Sequence, residues 1–364
     1  MRLKAWQNMP VLRIKVKGEA FADADVERAV AAIRSGALVA LPTETVYGLA
    51  ADPDDAASVA KLQRAKGRDA GKPLTHHVAS VDAARRLVAA IPRRVERLAA
   101  RFWPGPFTAV LPTPEGGSIG VRVPAQAFTR AVLAHFPRGL LLSSVNPSGA
   151  PPLTDPDEIA ARFTDIDVLI DAGPAVLGTA SAVVRDLGVE LEVLREGTLA
   201  RDELLRAAAA TVWFVCTGNT CRSPLAAAIA THAAAGALGV GTGDLLARGL
   251  HICSAGTATG GGSIASEGSL QVAAEIGLDL GAHVSRPAEP TDLARAAAVY
   301  AMTQSHLRHV LGLAPDVASR AQVLDPDGTD IPDPFGGDLS IYREAREVIG
   351  QAVMARLPAI LALM

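Results

Sequence analysis

The nine residues 216–224, Cys-Thr-Gly-Asn-Thr-Cys-Arg-Ser-Pro, constrain the fold of this chain more than any other segment. The apolar run 211–215 before them predicts a buried strand, and the alanine-rich stretch 225–235 after them predicts a helix. The nine residues therefore form a tight loop that ends at a helix N-terminus, where backbone N–H groups and the helix dipole attract an anion. This order of elements indicates an α/β domain with a parallel sheet.

The same loop carries groups suited to phosphoryl chemistry. Cys216 lies at its mouth, where the helix dipole and a nearby arginine favour a thiolate. Arg222 can hold two phosphate oxygens with its planar guanidinium. A thiolate beneath a bound phosphate is placed for in-line attack, which forms a cysteinyl-phosphate that water later removes. The leaving group then needs a general acid, and the candidate is Asp333 in the sequence Asp-Pro-Phe-Gly-Gly.

Residues 211 to about 361 resemble the low-molecular-weight protein tyrosine phosphatase family through this loop, Ser-Ala-Gly-Thr at 254–257, Ala-Met-Thr at 301–303 and the late Asp-Pro. The resemblance implies a nucleophile, a phosphate clamp and a general acid in Cys216, Arg222 and Asp333. The other residues that it assigns to the phosphate loop are Thr217, Gly218, Asn219, Thr220, Cys221 and Ser223. Among these it implies a loop-propping asparagine, a serine that stabilises the thiolate, and a second cysteine able to form a reversible disulfide with the nucleophile.

Within that family, the loop and the sequence Asp-Pro-Phe-Gly-Gly followed by Ile-Tyr are most similar to bacterial protein-arginine phosphatases. Thr217 is the discriminating residue, because tyrosine-directed members usually carry a branched aliphatic side chain there. We therefore expect a phosphoprotein substrate and favour phosphoarginine, with phosphotyrosine or a small phosphorylated molecule as the alternative. Thioredoxin-coupled arsenate reductases share the loop but need two more cysteines close together downstream, and only Cys253 follows it here.

The length of 364 residues favours more than one domain. Residues 196–210 are charged and then rich in alanine, which predicts a helix that closes a first domain at 20–205 and leads into a second at 210–364. Three cysteines are too few for a disulfide framework and suit a reducing cytosol. The net charge of -3 gives no support for nucleic-acid binding.

The sequence predicts neither a membrane span nor a signal peptide. No apolar run approaches the roughly 20 residues of a membrane-spanning helix. Residues 1–17 mix charged and apolar side chains and lack the apolar core of a signal peptide. We therefore expect a cytoplasmic protein that does not bind membranes.

In the first half of the chain, polar side chains gather where predicted strands end, which is where α/β sheets bind ligands. Lys66, Arg68 and Arg122 lie beside glycines and hydroxyl groups, a pattern that suits a polyphosphate. There is no Walker loop and no dinucleotide fingerprint, so a nucleotide site here is of another type. A short strand that ends at Val78 is predicted to lie at a sheet edge, with His76 exposed on it.

Residues from about 25 to 200 resemble the YrdC/TsaC family of threonylcarbamoyl-AMP synthases. The matching motifs are Pro-Thr-Glu-Thr-Val-Tyr-Gly-Leu at 42–49, Lys-Gly-Arg at 66–68, Trp-Pro-Gly-Pro-Phe-Thr at 103–108, Val-Arg-Val-Pro at 121–124, Ser-x-Asn-x-Ser-Gly at 144–149 and Arg-x-Gly at 195–197. This resemblance implies a mixed, twisted sheet with helices for the first half, whereas the phosphatase resemblance implies a smaller parallel-sheet α/β domain for the second half. The YrdC/TsaC resemblance also implies that ATP, L-threonine and bicarbonate are joined into threonylcarbamoyl-adenylate, which feeds the modification of adenosine 37 in tRNAs.

The resemblance implies site residues by motif. Those for ATP are Lys66, Arg68, Thr108, Ser144, Asn146 and Arg195, and those for threonine are Thr43, Arg122 and Ser181. Mg²⁺ is expected with ATP, held by nucleotide oxygens and water rather than by a protein metal site. The family usually has Ser-Thr-Val-Val where this chain has Ser-Ala-Val-Val at 181–184. The alternative is therefore a nucleotide- or RNA-binding module without synthase activity, and direct tRNA binding or contact with tRNA-modifying proteins is left open.

Overall fold

The computed structural model describes residues 11–16, 20–67, 74–147 and 149–364. The chain divides into two compact units, Met1–Ala207 and Ala208–Met364.

In the first unit, ten strands of the described residues form one sheet. They are β1 (Leu12–Lys15), β2 (Val39–Leu41), β3 (Gly48–Ala51), β4 (Thr75–His77), β5 (Phe107–Pro112), β6 (Ser118–Arg122), β7 (Leu140–Ser144), β8 (Val168–Asp171), β9 (Ala182–Asp186) and β10 (Leu191–Arg195). Their order across the sheet is β1-β8-β2-β3-β7-β4-β6-β5-β9-β10. The sheet contains both parallel pairs, such as β5 with β9, and antiparallel pairs, such as β3 with β7, which confirms the predicted mixed sheet.

The predicted edge strand is wrong. Thr75–His77 pairs with β6 on one side and β7 on the other, so it lies inside the sheet. His76 is accordingly buried rather than exposed, and its Nδ1 lies 3.2 Å from the carbonyl oxygen of Arg138. Burial lowers the pKa of His76. A strand of three residues is too short for the alternation of polar and apolar side chains to distinguish an edge from an interior position.

Helices cover both faces of this sheet. In chain order, the helices described up to the second unit are α1 (Asp23–Arg34), α2 (Ala56–Lys66), α3 (Val81–Leu87), α4 (Arg93–Phe102), α5 (Ala127–Leu133), α6 (Pro156–Arg162) and α7 (Arg201–Ala208), the last of which crosses the boundary between the units. Val39 packs into one apolar cluster with Ile33 of α1, whereas its neighbour Ala40 packs into another with Leu62 of α2. Successive side chains of a strand point to opposite faces, so one continuous apolar run supplies two cores.

The second unit contains a smaller, parallel sheet, as predicted. Its strands are β11 (Ala210–Cys216), β12 (Leu250–Gly256), β13 (Ala298–Ala301) and β14 (Ala321–Val323), and their order across the sheet is β12-β11-β13-β14. Its helices are α8 (Arg222–Leu238), α9 (Glu267–Ala274), α10 (Pro290–Ala294), α11 (Gln304–Leu313) and α12 (Leu339–Leu361), with 3₁₀ turns at Thr242–Asp244 and Pro315–Arg320. None of the helices described in either unit is long and apolar enough to cross a bilayer.

The first strand of the second unit lies at the point that determines where a ligand binds. β11 pairs with β12 on one side and with β13 on the other, both in parallel. The chain therefore continues to one side of β11 and later returns to its other side. Open α/β sheets bind ligands at the carboxyl end of such a strand. Cys216 is the last residue of β11.

Candidate active sites

The loop after β11 presents a helix start suited to an anion. α8 begins at Arg222, and the N-cap residue Cys221 makes no capping hydrogen bond with its side chain. The first turn contains no acidic residue that would repel an anion. Pro224 in that turn has no backbone N–H and therefore leaves no donor without a partner. The uncapped amide groups and the positive end of the helix dipole are therefore available to a bound oxyanion.

Cys216 is buried at the base of this loop. Its Sγ lies 3.0 Å from Oγ of Ser223, the second residue of α8. Ser223 Oγ accepts a hydrogen bond from Asn219 Nδ2 at 2.9 Å, so its proton can be donated either to Cys216 Sγ or to the Ala255 carbonyl oxygen at 3.4 Å. A hydroxyl group that donates to a thiolate stabilises its charge. This geometry fits the role predicted for Ser223.

Asn219 holds the loop in its shape. Its φ of 55° lies in the left-handed region, which asparagine tolerates better than most residues. Its Nδ2 also donates to Ser254 Oγ at 2.9 Å, and its Oδ1 accepts the backbone N–H of Arg286 at 2.9 Å. His283 Nε2 lies 2.7 Å from the Asn219 carbonyl oxygen. The predicted propping residue is thus fixed from two distant segments of the chain, one at Ser254 and one at residues 283–286.

The structure brings the predicted clamp and the predicted acid together. Arg222 Nη2 donates to Asp333 Oδ2 at 2.5 Å, and Nη1 donates to the Ile331 carbonyl oxygen at 3.0 Å. The arginine side chain is 5% exposed, whereas that of Asp333 is 48% exposed. Asp333 Oδ1 also accepts the backbone N–H of Phe335, which fixes the carboxylate at the start of its loop.

Thr217, the predicted discriminating residue, has a partner that sequence reasoning missed. Its Oγ1 lies 2.8 Å from Nε2 of His306, and Nδ1 of that ring lies 2.8 Å from Oγ1 of Thr303. The pKa of His306 is lowered to about 4, mainly by burial and to a smaller extent by the charge of Arg222. The imidazole is therefore neutral at pH 7. The sequence signal that was available is Thr303, because a threonine three residues before His306 indicates the N-cap of a helix that starts there.

Cys221 lies in a different environment from Cys216. Its Sγ lies 3.2 Å from Ser266 Oγ and 3.7 Å from Oη of Tyr342, whose pKa is raised by burial. Both loop cysteines are free thiols, so the disulfide between them stays a prediction. Gly218 and Thr220 complete the loop.

The first unit contains a cavity in which six of the predicted residues meet. Those six are Thr43, Thr108, Arg122, Ser144, Ser181 and Arg195. The other lining residues are Thr45, Val46, Tyr47, Gly48, Leu74, Thr75, His77, Leu142, Ser143 and Ala180. The lining is therefore rich in hydroxyl groups and contains two guanidinium groups. None of these lining residues carries a carboxylate. That Mg²⁺ enters with ATP, held by nucleotide oxygens and water, stays a prediction.

Arg122 is buried against a carboxylate that sequence reasoning did not single out. Its Nη2 forms an ion pair with Glu44, and its Nε donates to the Gly105 carbonyl oxygen at 3.2 Å. Burial lowers the pKa of Arg122, and Glu44 opposes that shift. Glu44 also accepts the backbone N–H of Ala125 at 2.8 Å. Glu44 is part of the Pro-Thr-Glu-Thr motif, so the motif itself was the signal.

Hydroxyl groups connect the remaining cavity residues. Thr108 Oγ1 lies 2.9 Å from Ser181 Oγ, and Arg195 Nε donates to the Ser181 carbonyl oxygen at 3.0 Å. Thr43 Oγ1 lies 2.8 Å from Thr45 Oγ1 and donates to the Val46 carbonyl oxygen. Burial lowers the pKa of Arg195, and Arg122 adds to that shift.

Lys66 meets two of the residues predicted to bind ATP. It is 3% exposed, and its Nζ donates to the Ser144 carbonyl oxygen, to Ser144 Oγ at 3.2 Å and to Asn146 Oδ1 at 3.1 Å. Gly67 ends α2 with a φ of 57°, a left-handed conformation that suits glycine. Arg68, also predicted to bind ATP, lies outside the described residues.

The alanine at position 182 does not remove a hydroxyl group from the cavity. Ser181 lines the cavity, whereas Ala182 is fully buried and absent from its lining. Alternation along the chain points neighbouring side chains in opposite directions.

Gly197 packs so closely that an added Cβ would lie 2.2 Å from the Ala180 carbonyl oxygen. This close packing keeps the Arg-x-Gly motif against the segment that carries Ser181.

Comparison with known families gives two separate matches. Residues 31–197 match the Sua5/YciO/YrdC family model, described as telomere recombination. Residues 211–361 match the family model described as low molecular weight phosphotyrosine protein phosphatase. The two matches fall on the two units.

The first unit is similar to curated threonylcarbamoyl-AMP synthases. That of Pyrococcus abyssi is 39% identical over 47% of this chain and 54% of its own length. That of Chromohalobacter salexigens is 36% identical over 44% of this chain and 90% of its own length. The chain spans little more than half the length of the first curated relatives it matches. The crystal structure of P. abyssi Sua5 complexed with L-threonine is 30% identical, covers 57% of this chain and 72% of its own, and has a TM-score of 0.51.

The second unit is similar to solved phosphatases. A low molecular weight protein tyrosine phosphatase from T. tengcongensis is 31% identical over 42% of this chain and 99% of its own, with a TM-score of 0.37. The YwlE arginine phosphatase from Geobacillus stearothermophilus is 29% identical over 42% of this chain and 94% of its own, with a TM-score of 0.36.

Proposed function

Because the chain belongs to the Sua5/YciO/YrdC family through its first unit and carries a low-molecular-weight phosphatase domain in its second, we propose that it is a bifunctional enzyme. The first unit makes threonylcarbamoyl-AMP and diphosphate from ATP, L-threonine and bicarbonate. The second removes phosphate from a phosphoprotein. We place both activities in the cytoplasm, where free thiols persist and where tRNA-modifying proteins would consume the adenylate.

The cavity of the first unit carries the synthase proposal. Threonylcarbamate is an anion, and its attack on the α-phosphorus of ATP needs charge neutralised more than it needs a protein base. Arg122 and Arg195 supply that charge among hydroxyl groups, and Glu44 holds the Arg122 guanidinium in one orientation. The Arg122 side chain suits the threonine carboxylate. The relative solved with L-threonine supports this choice of substrate.

Diphosphate release tests the synthase. The purified chain is expected to release diphosphate from ATP only when L-threonine, bicarbonate and Mg²⁺ are all present, because the attacking anion forms from threonine and bicarbonate. The measurement is a coupled diphosphate assay with each component omitted in turn. Tight ATP binding without diphosphate release in the complete mixture would instead support a nucleotide-binding module.

The Cys216 loop carries the phosphatase proposal. The thiolate attacks phosphorus, the bond to the leaving group breaks, and water later hydrolyses the cysteinyl-phosphate. Arg222 exchanges the Asp333 carboxylate for phosphate oxygens when substrate binds. The freed, half-exposed carboxylate takes up a proton from solvent and donates it to the leaving group as the bond to phosphorus breaks. The 2.5 Å contact between these two side chains is the main support for their acting in sequence at one phosphate.

Replacing Asp333 with asparagine is expected to slow turnover according to the leaving group. The loss is about 10²-fold or more for a leaving group that needs protonation, the usual scale of general acid catalysis. It is much smaller for an aryl phosphate whose phenol is already acidic. The measurement is kcat/KM for both kinds of substrate, with Asp330→Asn, three residues earlier in the chain, as the matched control. Equal losses on the two substrates would contradict the acid role.

We propose phosphoarginine as the preferred substrate. Thr217 offers a hydroxyl group and little apolar surface beside the nucleophile, which suits a guanidinium better than the broad ring of phosphotyrosine. A phosphotyrosine phosphatase is the alternative. Matched phosphoarginine and phosphotyrosine peptides distinguish the two, and a wild-type preference for phosphotyrosine would establish the alternative.

A further inference from the structure

We propose that His306 is a positioning residue that makes the Thr217 hydroxyl group a hydrogen-bond acceptor, and so favours a leaving group that carries an N–H beside phosphorus. The inference rests on the proposed phosphatase activity and goes beyond it by assigning a role to a residue outside the phosphate loop. Thr217 follows the nucleophile directly in the chain and is exposed, whereas His306 is buried behind it.

The hydrogen bonds of the ring have only two possible directions. His306 is neutral at pH 7, because burial and the charge of Arg222 lower its pKa to about 4. A neutral imidazole has one N–H and one lone pair. Thr217 Oγ1, at 2.8 Å from Nε2, therefore either receives a proton from the ring or donates its own proton to it.

Thr303 favours the second direction. As the N-cap of α11, its Oγ1 already accepts the backbone N–H of His306 at 3.2 Å. The same oxygen lies 2.8 Å from Nδ1 and has a second lone pair with which to accept an Nδ1–H. Thr303 is only half-buried, so its own proton can be donated to water. With Nδ1 protonated, Nε2 is the acceptor for the Thr217 hydroxyl proton.

This polarity matters because the rest of the loop supplies donors. The helix-start amide groups and Arg222 all donate hydrogen bonds, which suits phosphate oxygens but not a guanidinium. A guanidinium has donors only. Once the Thr217 proton is held by His306, the remaining lone pairs of Thr217 Oγ1 can accept an N–H of phosphoarginine. The bridging oxygen of phosphotyrosine carries no hydrogen and gains nothing from this acceptor.

The ring tautomer can be measured without any assay of activity. In the full chain labelled with ¹⁵N, the His306 ring is expected to show a protonated Nδ1 and an unprotonated Nε2 at neutral pH. Thr217→Val should shift the Nε2 resonance and leave that of Nδ1 nearly unchanged, because only the Nε2 partner is removed. A protonated Nε2 in the wild type would overturn the proposal, since Thr217 would then be presented as a donor.

Kinetics test the consequence for specificity. In Thr217→Val and in His306→Leu, the ratio of kcat/KM for phosphoarginine to that for phosphotyrosine peptides is expected to fall by roughly 10-fold or more, the scale of one lost polar contact. The double variant should fall no further than the single ones, because both remove the same hydrogen bond. His306→Gln, whose amide oxygen is an acceptor, should retain part of the ratio. His309→Leu, at an exposed position of the same helix, should leave it unchanged.

The outcomes separate this proposal from the activity on which it rests. A wild type that turns over neither peptide overturns the phosphatase function and the specificity role with it. Turnover with an unchanged ratio in His306→Leu overturns the role of His306 alone. If His306→Leu lowers kcat/KM equally for both peptides and His306→Gln restores neither value, His306 only supports the fold of α11 and the proposal is overturned.

Discussion

Phosphatase turnover is expected to fall by more than about 10⁴-fold when Cys216 is replaced by serine, the scale on which loss of an enzyme nucleophile is measured. A serine hydroxyl group ionises far less readily than a cysteine thiol, so the attacking species is lost. The serine hydroxyl group can still form a hydrogen bond with Ser223 Oγ, and the loop should keep its shape. The measurement is kcat/KM on a phosphopeptide.

Two controls accompany the Cys216 variant. Cys253→Ser removes a thiol at a half-buried position of β12, outside the loop, and should leave turnover unchanged. Diphosphate release, measured in the same preparation, reports whether the first unit of the variant is folded. Substantial residual hydrolysis by the Cys216 variant would contradict a cysteinyl-phosphate route.

Diphosphate release is expected to fall by roughly 10²–10³-fold in Lys66→Ala, the usual loss when one charged or polar contact to a developing negative charge is removed. Lys66 supplies positive charge, and it also fixes Ser144 and Asn146 through three hydrogen bonds. Its removal therefore disturbs three of the residues proposed to hold the nucleotide. The measurement is diphosphate release at saturating L-threonine and bicarbonate.

Because Lys66 is buried, folding must be tested beside activity. Thermal unfolding of the variant separates a loss of stability from a loss of catalysis. Arg64→Ala removes a cation from an exposed position of the same helix and should change neither quantity. Unchanged turnover in the Lys66 variant would contradict its assignment to the nucleotide site.

The sequence predicted the parts of each site whose residues are close together in the chain. The loop from Cys216 to Arg222 is one strand end and one helix start, so its composition alone indicates an anion site. In the first unit, six predicted residues come from separate motifs and nevertheless line one cavity, because each motif lies at or near a strand end of the same sheet.

The partners that orient those residues could not be predicted. His283 and Ser254 contact Asn219 from positions 64 and 35 residues away, and only the fold brings them there. His306 reaches Thr217 across 89 residues. The interior position of β4 depends on pairing with β6 and β7, which a segment of three residues cannot indicate by itself.

The contact between Arg222 and Asp333 has a consequence for the end of each catalytic cycle. Inorganic phosphate that leaves the loop would otherwise expose a buried cation, and an uncompensated buried charge is costly. The Asp333 carboxylate, tethered in the same site, can take the place of the departing ion. For the proposed phosphatase we therefore expect this carboxylate to compete with the product ion for Arg222, which favours phosphate release and weak product inhibition.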